Sequence, residues 1–236
     1  MRKPGPVDLP VVSNSLPAAV LWDMDGTLVD TEPYWIEAET VLVESFGGSW
    51  TEEDALALVG SGLWESAAVF QSYGVRLSAD EIVFGLTRRV RELLDERGVP
   101  WRPGARELLE SLREAGVPTA LVTMSIRSMA DDIVAATGFD AFDAIVTGDS
   151  VERPKPHPDP YLDGARLLGV DIRRSVAIED SVTGVASARA SGAITVGVPH
   201  ILSLDGAGAD VIWPTLSGRG LDDLAQLVAE RDGVRS

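Results

Sequence analysis

The chain has no cysteine, which removes disulfides, zinc–thiolate sites and thiol nucleophiles together. Lysine is nearly absent: Lys3 and Lys155 are the only two among 20 basic residues. Against 37 acidic residues the formal charge is −17, with an isoelectric point near 4.4. A nucleic-acid binder needs a basic face to neutralise phosphates, so this balance argues against nucleic acid as a partner. Long hydrophobic runs are missing too, the apolar stretches falling well short of the ~20 residues of a membrane helix. Residues 1–17 open with Arg2 and Lys3, but Pro4, Pro6, Pro10 and Pro17 and the polar Ser13-Asn14-Ser15 interrupt any signal-peptide core. The expectation is a cytoplasmic protein without a membrane partner, with a flexible leader over 1–17. Oligomeric state is not legible from the residues.

What is present is ordinary globular material. Apolar residues make up 45% of the 236 and charged residues 24%, against typical shares of about 45–50% and 25%. Ala18–Trp22 is a short apolar run that ends in Asp23-Met24-Asp25-Gly26-Thr27, a buried strand followed by a polar turn. Residues 34–97 then carry helical spacing. Trp35, Ala38, Leu42 and Phe46 form one stripe, closed by Gly47-Gly48. Ser78 and Glu81 make a capping box ahead of Ile82, Leu86, Val90 and Leu93.

From residue 99 strands and helices alternate. Pro103 is expected to open a helix. Strands are expected over 119–123, 144–147, 175–178, 193–198 and 211–213, with helices over 126–137, 158–168, 184–191 and 221–230. Such alternation predicts parallel β-α units with both sheet faces covered. The first strand has no partner except across the helical stretch. The economical architecture is therefore an α/β protein: a Rossmann-like parallel sheet core of residues 18–30 and 99–236, with an all-helical cap inserted at 31–98. An insertion at a loop costs little closure entropy.

Ligands of open parallel sheets sit beyond the carboxyl ends of the strands. Four expected strands end in polar residues: Asp23 and Asp25; Thr123 and Ser125; Asp149 and then Lys155; Glu179-Asp180-Ser181. If those ends share one crevice, carboxylates converge, and like charges ~4 Å apart repel by about 4 kcal/mol per pair at an effective dielectric near 20. A divalent cation relieves several such pairs at once, and an all-oxygen shell suits Mg²⁺. Each piece also has a plain reading. Asp23–Thr27 can be a simple turn, Thr123 and Glu179-Asp180 can cap the helices after them, and Lys155 can be a surface lysine. A calcium loop is disfavoured, because the preceding ligand position falls on Leu21 inside an apolar strand. Pro154 and Pro156 flank Lys155 and fix its direction of approach, which suits a compact cation aimed at a buried anion. His157 and His200 read as loop residues without a role.

Taken in order, Asp23-Met-Asp-Gly-Thr-Leu-Val-Asp-Thr-Glu32, the strand ending in Thr123, Pro154-Lys155-Pro-His-Pro-Asp-Pro-Tyr161 and Ile178-Glu179-Asp180-Ser-Val-Thr-Gly184 resemble the haloacid dehalogenase superfamily. The helical insert directly after the first motif is similar to the cap of its β-phosphoglucomutase-like branch. The resemblance implies Mg²⁺-dependent phosphoryl transfer through an aspartyl phosphate. It makes Asp23 the nucleophile and a metal ligand, and Asp25 the general acid/base, with its main-chain carbonyl also facing the metal. Thr123 would bind the phosphoryl group, Lys155 would offset charge, Asp180 would hold Mg²⁺, and Glu179 would assist at the metal. Main-chain N–H groups near Met124 would complete the phosphate cradle. A carboxylate is a feeble nucleophile towards a dianion unless charge is neutralised first, which agrees with those roles.

Asp25 speaks against carbon–halogen cleavage, since the dehalogenases lack that residue. The absence of lysine from 31–98 disfavours the phosphonatases, which form a Schiff base on a cap lysine. A β-phosphoglucomutase-type mutase is the main alternative: it needs cap cations for a second phosphate, and Arg76, Arg88, Arg89, Arg91 and Arg97 are on offer. A non-catalytic Mg²⁺-binding regulatory protein is a third reading. The expected partner is a small phosphorylated sugar or polyol, hydrolysed to the alcohol. Gly60 and Trp64, in the stretch 59–65, are the candidate cap contacts to substrate, with packing between helices as the plain reading of Trp64. Pro33, Gly98, Pro100 and Pro103 mark two chain crossings that read as a double hinge.

Overall fold

The computed structural model describes residues 16–234, so the leader expected over 1–17 lies outside the described residues up to position 15. Six short runs become strands: β1 (Val20–Trp22), β2 (Thr119–Val122), β3 (Ala144–Val146), β4 (Val176–Glu179), β5 (Ile194–Gly197) and β6 (Val211–Ile212). They form one sheet in the order β3-β2-β1-β4-β5-β6, every neighbouring pair parallel. This is the Rossmann-like order, in which the chain crosses from one half of the sheet to the other beside the first strand.

Helices cover both faces: α5 (Ala105–Glu114), α6 (Arg127–Thr137) and α9 (Leu221–Val234) on one, α7 (Asp159–Leu168) and α8 (Val182–Ser191) on the other. Alternation along β1 divides the core between them. Val20 and Trp22 pack with Leu109, Met129 and Leu224, whereas Leu21 packs with Tyr161 and Ala188. On α7, Gly164 lets the helix lie close to the sheet, since a Cβ there would stand 2.8 Å from Leu21 Cδ2.

The register is what positions the site. Trp22 pairs with Leu121 on one side and Ile178 on the other. Asp23 therefore leaves the sheet beside Val122 and Glu179, and its N–H donates to the Ile178 carbonyl at 3.0 Å. The turn beyond is closed by the Gly26 N–H donating to the Val29 carbonyl at 2.8 Å, with Gly26 at φ +84°.

Between β1 and α5 lie α1 (Glu32–Ser45), α2 (Glu52–Leu56), α3 (Leu63–Ser72) and α4 (Ala79–Arg97). The Ser78–Glu81 capping box forms in both directions, and Ile82, Leu86, Val90 and Leu93 of α4 are buried as their spacing predicts. The α1 stripe is rotated from the expected one. Trp35, Ala38, Glu39 and Val43 are its buried residues, while Leu42 and Phe46 are only half-buried. Pro103 does not open its helix. Gly104 intervenes at φ +83° as the N-cap, and a Cβ on it would stand 2.2 Å from the Leu216 backbone.

Where the chain leaves and re-enters the sheet region, the two crossings pair. The Asp30 N–H donates to the Pro100 carbonyl at 2.8 Å and the Arg102 N–H to the Leu28 carbonyl at 3.0 Å. His200, expected to be idle, joins them from a distant loop. Arg102 Nη1 lies 2.7 Å from His200 Nδ1, and His200 Nε2 lies 2.8 Å from Asp30 Oδ1. A guanidinium only donates, so Nδ1 accepts and Nε2–H donates to Asp30. Among the described residues no helix is long and apolar enough to cross a membrane.

Candidate active site

The turns at the carboxyl ends of β1, β2 and β4 meet in one cleft that runs under α1, α3 and α4. Asp23, Glu179 and Asp180 each place a carboxylate oxygen within 4.8 Å of the others, and all three are buried. Among the described residues a single cation faces them. Lys155, 4% exposed, donates to Asp23 Oδ1 at 2.7 Å, to Glu179 Oε1 at 2.6 Å and to the Val122 carbonyl at 2.9 Å. Its three protons are thereby committed.

Glu179 is fully enclosed. Tyr161 Oη donates to its Oε1 at 2.6 Å and Ser181 Oγ to its Oε2 at 3.2 Å. Gly184 is required behind it, because a Cβ there would stand 2.0 Å from its carboxylate. Asp180 Oδ1 accepts from Thr27 Oγ1 at 3.3 Å. Asp23 Oδ2, by contrast, is buried and has no hydrogen-bond partner among the described residues.

One ammonium among three buried carboxylates leaves an excess of negative charge, and an isolated buried charge is costly unless paired. The titrations register this. Burial, then the neighbouring Glu179 charge, pushes the Asp23 carboxyl up to about 7. Burial, then Asp23 and Glu179, raises Asp180 well above its ordinary range. Burial acts to lower the Lys155 ammonium, but the charges of Asp23 and Glu179 outweigh it and hold the pKa above the ordinary lysine value. A buried set of hard oxygen donors, with one oxygen unpartnered, fits a divalent cation.

Asp25 stands outside that cluster. Its Oδ1 accepts from Thr31 Oγ1 at 2.5 Å and Trp35 Nε1 at 3.4 Å. Its Oδ2 accepts from Ser125 Oγ at 2.8 Å and Thr123 Oγ1 at 3.3 Å. Donors from two segments, 31–35 and 123–125, fix the orientation of this carboxylate in the cleft. Thr123, Met124 and Ser125 line the same wall. The Thr123 hydroxyl also receives the Ser125 N–H at 3.0 Å. Asp149, which follows a third strand, does not join: it caps the Arg127 N–H at 3.1 Å.

The two expected cap contacts part company. Gly60 lines the cleft, and a Cβ on it would come 3.0 Å from Ser181 Cβ, so the 59–62 loop meets the Glu179-Asp180-Ser181 turn. Trp64 sits in the first turn of α3 and lines a neighbouring cavity with Val151 and Pro154. Its Nε1 donates to Asp80 at 2.8 Å.

Two residues of the cleft have no role assigned from the sequence. Glu32 and Glu39, two helical turns apart on α1, both line the cleft. Burial first, then the Asp25 charge, pushes Glu32 up to about 8. Burial pushes Glu39 up to about 7 against an opposing hydrogen bond from Trp50 Nε1 at 3.2 Å. The available signal was position: Glu39 lies four residues from both Trp35 and Val43, inside the buried stripe. The cap arginines lie elsewhere. Arg89 and Arg97 pair with Glu37 and Arg91 with Asp132, while Arg88 stands 3.9 Å from Glu92. None of these arginines, nor the exposed Arg76, lines the cleft.

A family model described as haloacid dehalogenase-like hydrolase matches residues 20–198. Protein CbbY of Rhodobacter capsulatus is 32% identical over 222 residues, spanning 89% of this chain and 98% of that protein. Hexitol phosphatase B of Escherichia coli K12 is 32% identical over 189 residues, 77% of this chain and 83% of its own length. The solved structure of CbbY from Rhodobacter sphaeroides in complex with xylulose-(1,5)bisphosphate matches with a TM-score of 0.82 at 29% identity, covering 89% of this chain and 99% of that one.

Proposed function

The chain belongs to the haloacid dehalogenase-like hydrolases, and from that premise we propose that it is a phosphoric monoester hydrolase acting on a small phosphorylated sugar or polyol. The observation that carries the reading is the geometry at Asp23: one oxygen held by Lys155 at 2.7 Å, the other buried and unpartnered in the cleft. A relative named for hexitol phosphate hydrolysis and a neighbour solved with a sugar bisphosphate support the substrate class.

In this reading residues 18–30 and 99–236 form the catalytic core and 31–98 the cap. Asp23 attacks phosphorus with its free oxygen, and the P–O bond to the substrate alcohol breaks. Asp25, oriented by Thr31 and Trp35, gives the leaving oxygen its proton, then takes one from the water that hydrolyses the aspartyl phosphate. Thr123 and Ser125, which donate to Asp25 at 3.3 and 2.8 Å, turn to the phosphoryl oxygens together with main-chain groups around Met124. Lys155 lies between Asp23 and Glu179 and offsets charge as phosphorus is approached. Asp23, Asp180 and the Asp25 main-chain carbonyl would hold magnesium, assisted by Glu179. When bound, the ion supplies the positive charge that the carboxylate cluster lacks. The cap excludes water while the phosphoryl group is on Asp23.

The test is a panel of phosphate monoesters assayed with Mg²⁺. Release of phosphate that disappears with EDTA or with Asp23→Asn is expected. No turnover across a broad panel would favour a binding protein instead. Glucose 6-phosphate appearing from β-glucose 1-phosphate in the presence of catalytic bisphosphate would favour a mutase.

A further inference from the structure

The cleft has two walls of opposite character. On the strand side stand the carboxylate cluster and Lys155, and among the described residues that line the cleft Lys155 is the only cation. On the helix side, Leu58, Phe70 and Leu86 supply apolar surface, Ser61 and Ser66 supply hydroxyls, and Glu32 and Glu39 supply carboxyls. A substrate whose phosphate sits at Asp23 must lay its organic half against this second wall. There it meets acceptors for hydroxyl groups and no counter-charge for an anion. The arginines of α4 are occupied by Glu37, Glu92 and Asp132 away from the cleft.

We infer that the cap wall selects substrates carrying one phosphate and an uncharged, hydroxyl-bearing organic half, with Glu32 and Glu39 as the residues that accept its hydroxyls and exclude a second anion. The inference rests on the phosphatase reading and narrows it. The structural neighbour was solved with a bisphosphate, so the expectation separates this chain from that one. The physical basis is asymmetric discrimination. An added anion placed against this wall loses its hydration and finds no counter-charge, whereas a hydroxyl there finds a hydrogen-bond partner.

The experiment compares kcat/KM of the full chain with Mg²⁺ on glucitol 6-phosphate, on glucitol 1,6-bisphosphate and on 4-nitrophenyl phosphate. The monophosphate should exceed the bisphosphate by about 100-fold, as expected when an anion is desolvated at a wall that offers it no counter-charge. Measured at pH 9, where both carboxyls are largely ionised, Glu32→Gln and Glu39→Gln, made singly, should each shift the mono-to-bisphosphate ratio towards the bisphosphate by roughly 3- to 10-fold, since each removes one repelling charge. The ratio is internal to each variant, so partial loss of folded protein does not move it. A bisphosphate turned over as well as the monophosphate by the unaltered chain overturns the inference and leaves the phosphatase reading standing. A ratio unmoved in both variants overturns the assignment to Glu32 and Glu39. No turnover of any ester, 4-nitrophenyl phosphate included, overturns both.

Discussion

The carboxylate of Asp180 occupies the space in which a side chain on Gly26 would stand: a Cβ built there lies 2.0 Å from Asp180 Oδ2. The two residues come from turns 154 positions apart, and Gly26 adopts φ +84°. Glycine is thus required twice, for the backbone conformation and for the approach of a carboxylate. Gly26→Ala should displace Asp180 and lower phosphate release by about 100-fold or more, with a stability loss of roughly 1–3 kcal/mol. Activity titrated against Mg²⁺ and a thermal melt of the same sample check this. Activity within twofold of the unaltered chain at equal Mg²⁺ would count against Asp180 as a metal ligand.

Lys155 is the sole positive charge inside the cluster. Lys155→Met leaves Asp23 and Glu179 buried without it, and breaking a buried pair in this way costs about 3–5 kcal/mol. Urea unfolding should show a loss of unfolding free energy of that size, read as a lowered midpoint, accompanied by loss of turnover. A neutral midpoint would mean that the carboxylates find other partners.

Asp23→Asn acts in the opposite direction. It removes one carboxylate from a set with excess negative charge and keeps Lys155 bound to Glu179 and to the Val122 carbonyl. In EDTA the variant should be at least as stable as the unaltered chain, by up to about 2 kcal/mol. Mg²⁺ should narrow that gap, because an ion that binds only the folded state stabilises the parent more. Differential scanning calorimetry with and without Mg²⁺ reads both quantities.

Glu39 gives the fold a pH dependence of its own. Its carboxyl titrates from 4.5 up to about 7 on burial, so between those values the folded state holds more protons than the unfolded chain. Stability then falls as pH rises through that window, by at most about 3 kcal/mol. Glu32, higher still on the same helix, extends the decline towards 8. Glu39→Gln keeps an acceptor for Trp50 and should make the curve less steep between pH 5 and 7 in denaturant titrations, the remaining slope coming from Asp23 and Asp180. A variant whose curve parallels the parent would show that Glu39 is ionised and solvated.

At the crossings, His200→Ala removes the bridge between Asp30 and Arg102. Two hydrogen bonds worth about 1 kcal/mol each are lost, while the paired backbones of 28–30 and 100–102 remain. A small drop in unfolding free energy with retained turnover is expected. Complete loss of activity would give the bridge a larger part than holding two strands together.

How far the residues alone reach differs from one element to the next. The strand ending in Asp23, the capping box at Ser78 and the helix carrying Ile82 to Leu93 were all legible. Each depends on local causes: apolar spacing, a side chain that satisfies an open N–H, a turn that ends a run. Helix starts were less so. Pro103 looked like a first helical residue until the Leu216 backbone, distant in sequence, was found pressed against Gly104.

The sequence by itself determined the alternation of strands and helices after residue 99, the helical run between the first strand and that alternation, and the polar residues at the strand ends, because periodicity and spacing are properties of neighbouring residues. Only the tertiary structure decided which of those groups share a charge. It set Lys155 between Asp23 and Glu179, turned Asp25 towards Thr31 and Ser125, sent Asp149 to a helix cap, and drew Glu39 into the cleft with His200 at the crossings. Those outcomes depend on burial and on electrostatic contact between distant segments, quantities that no local pattern encodes.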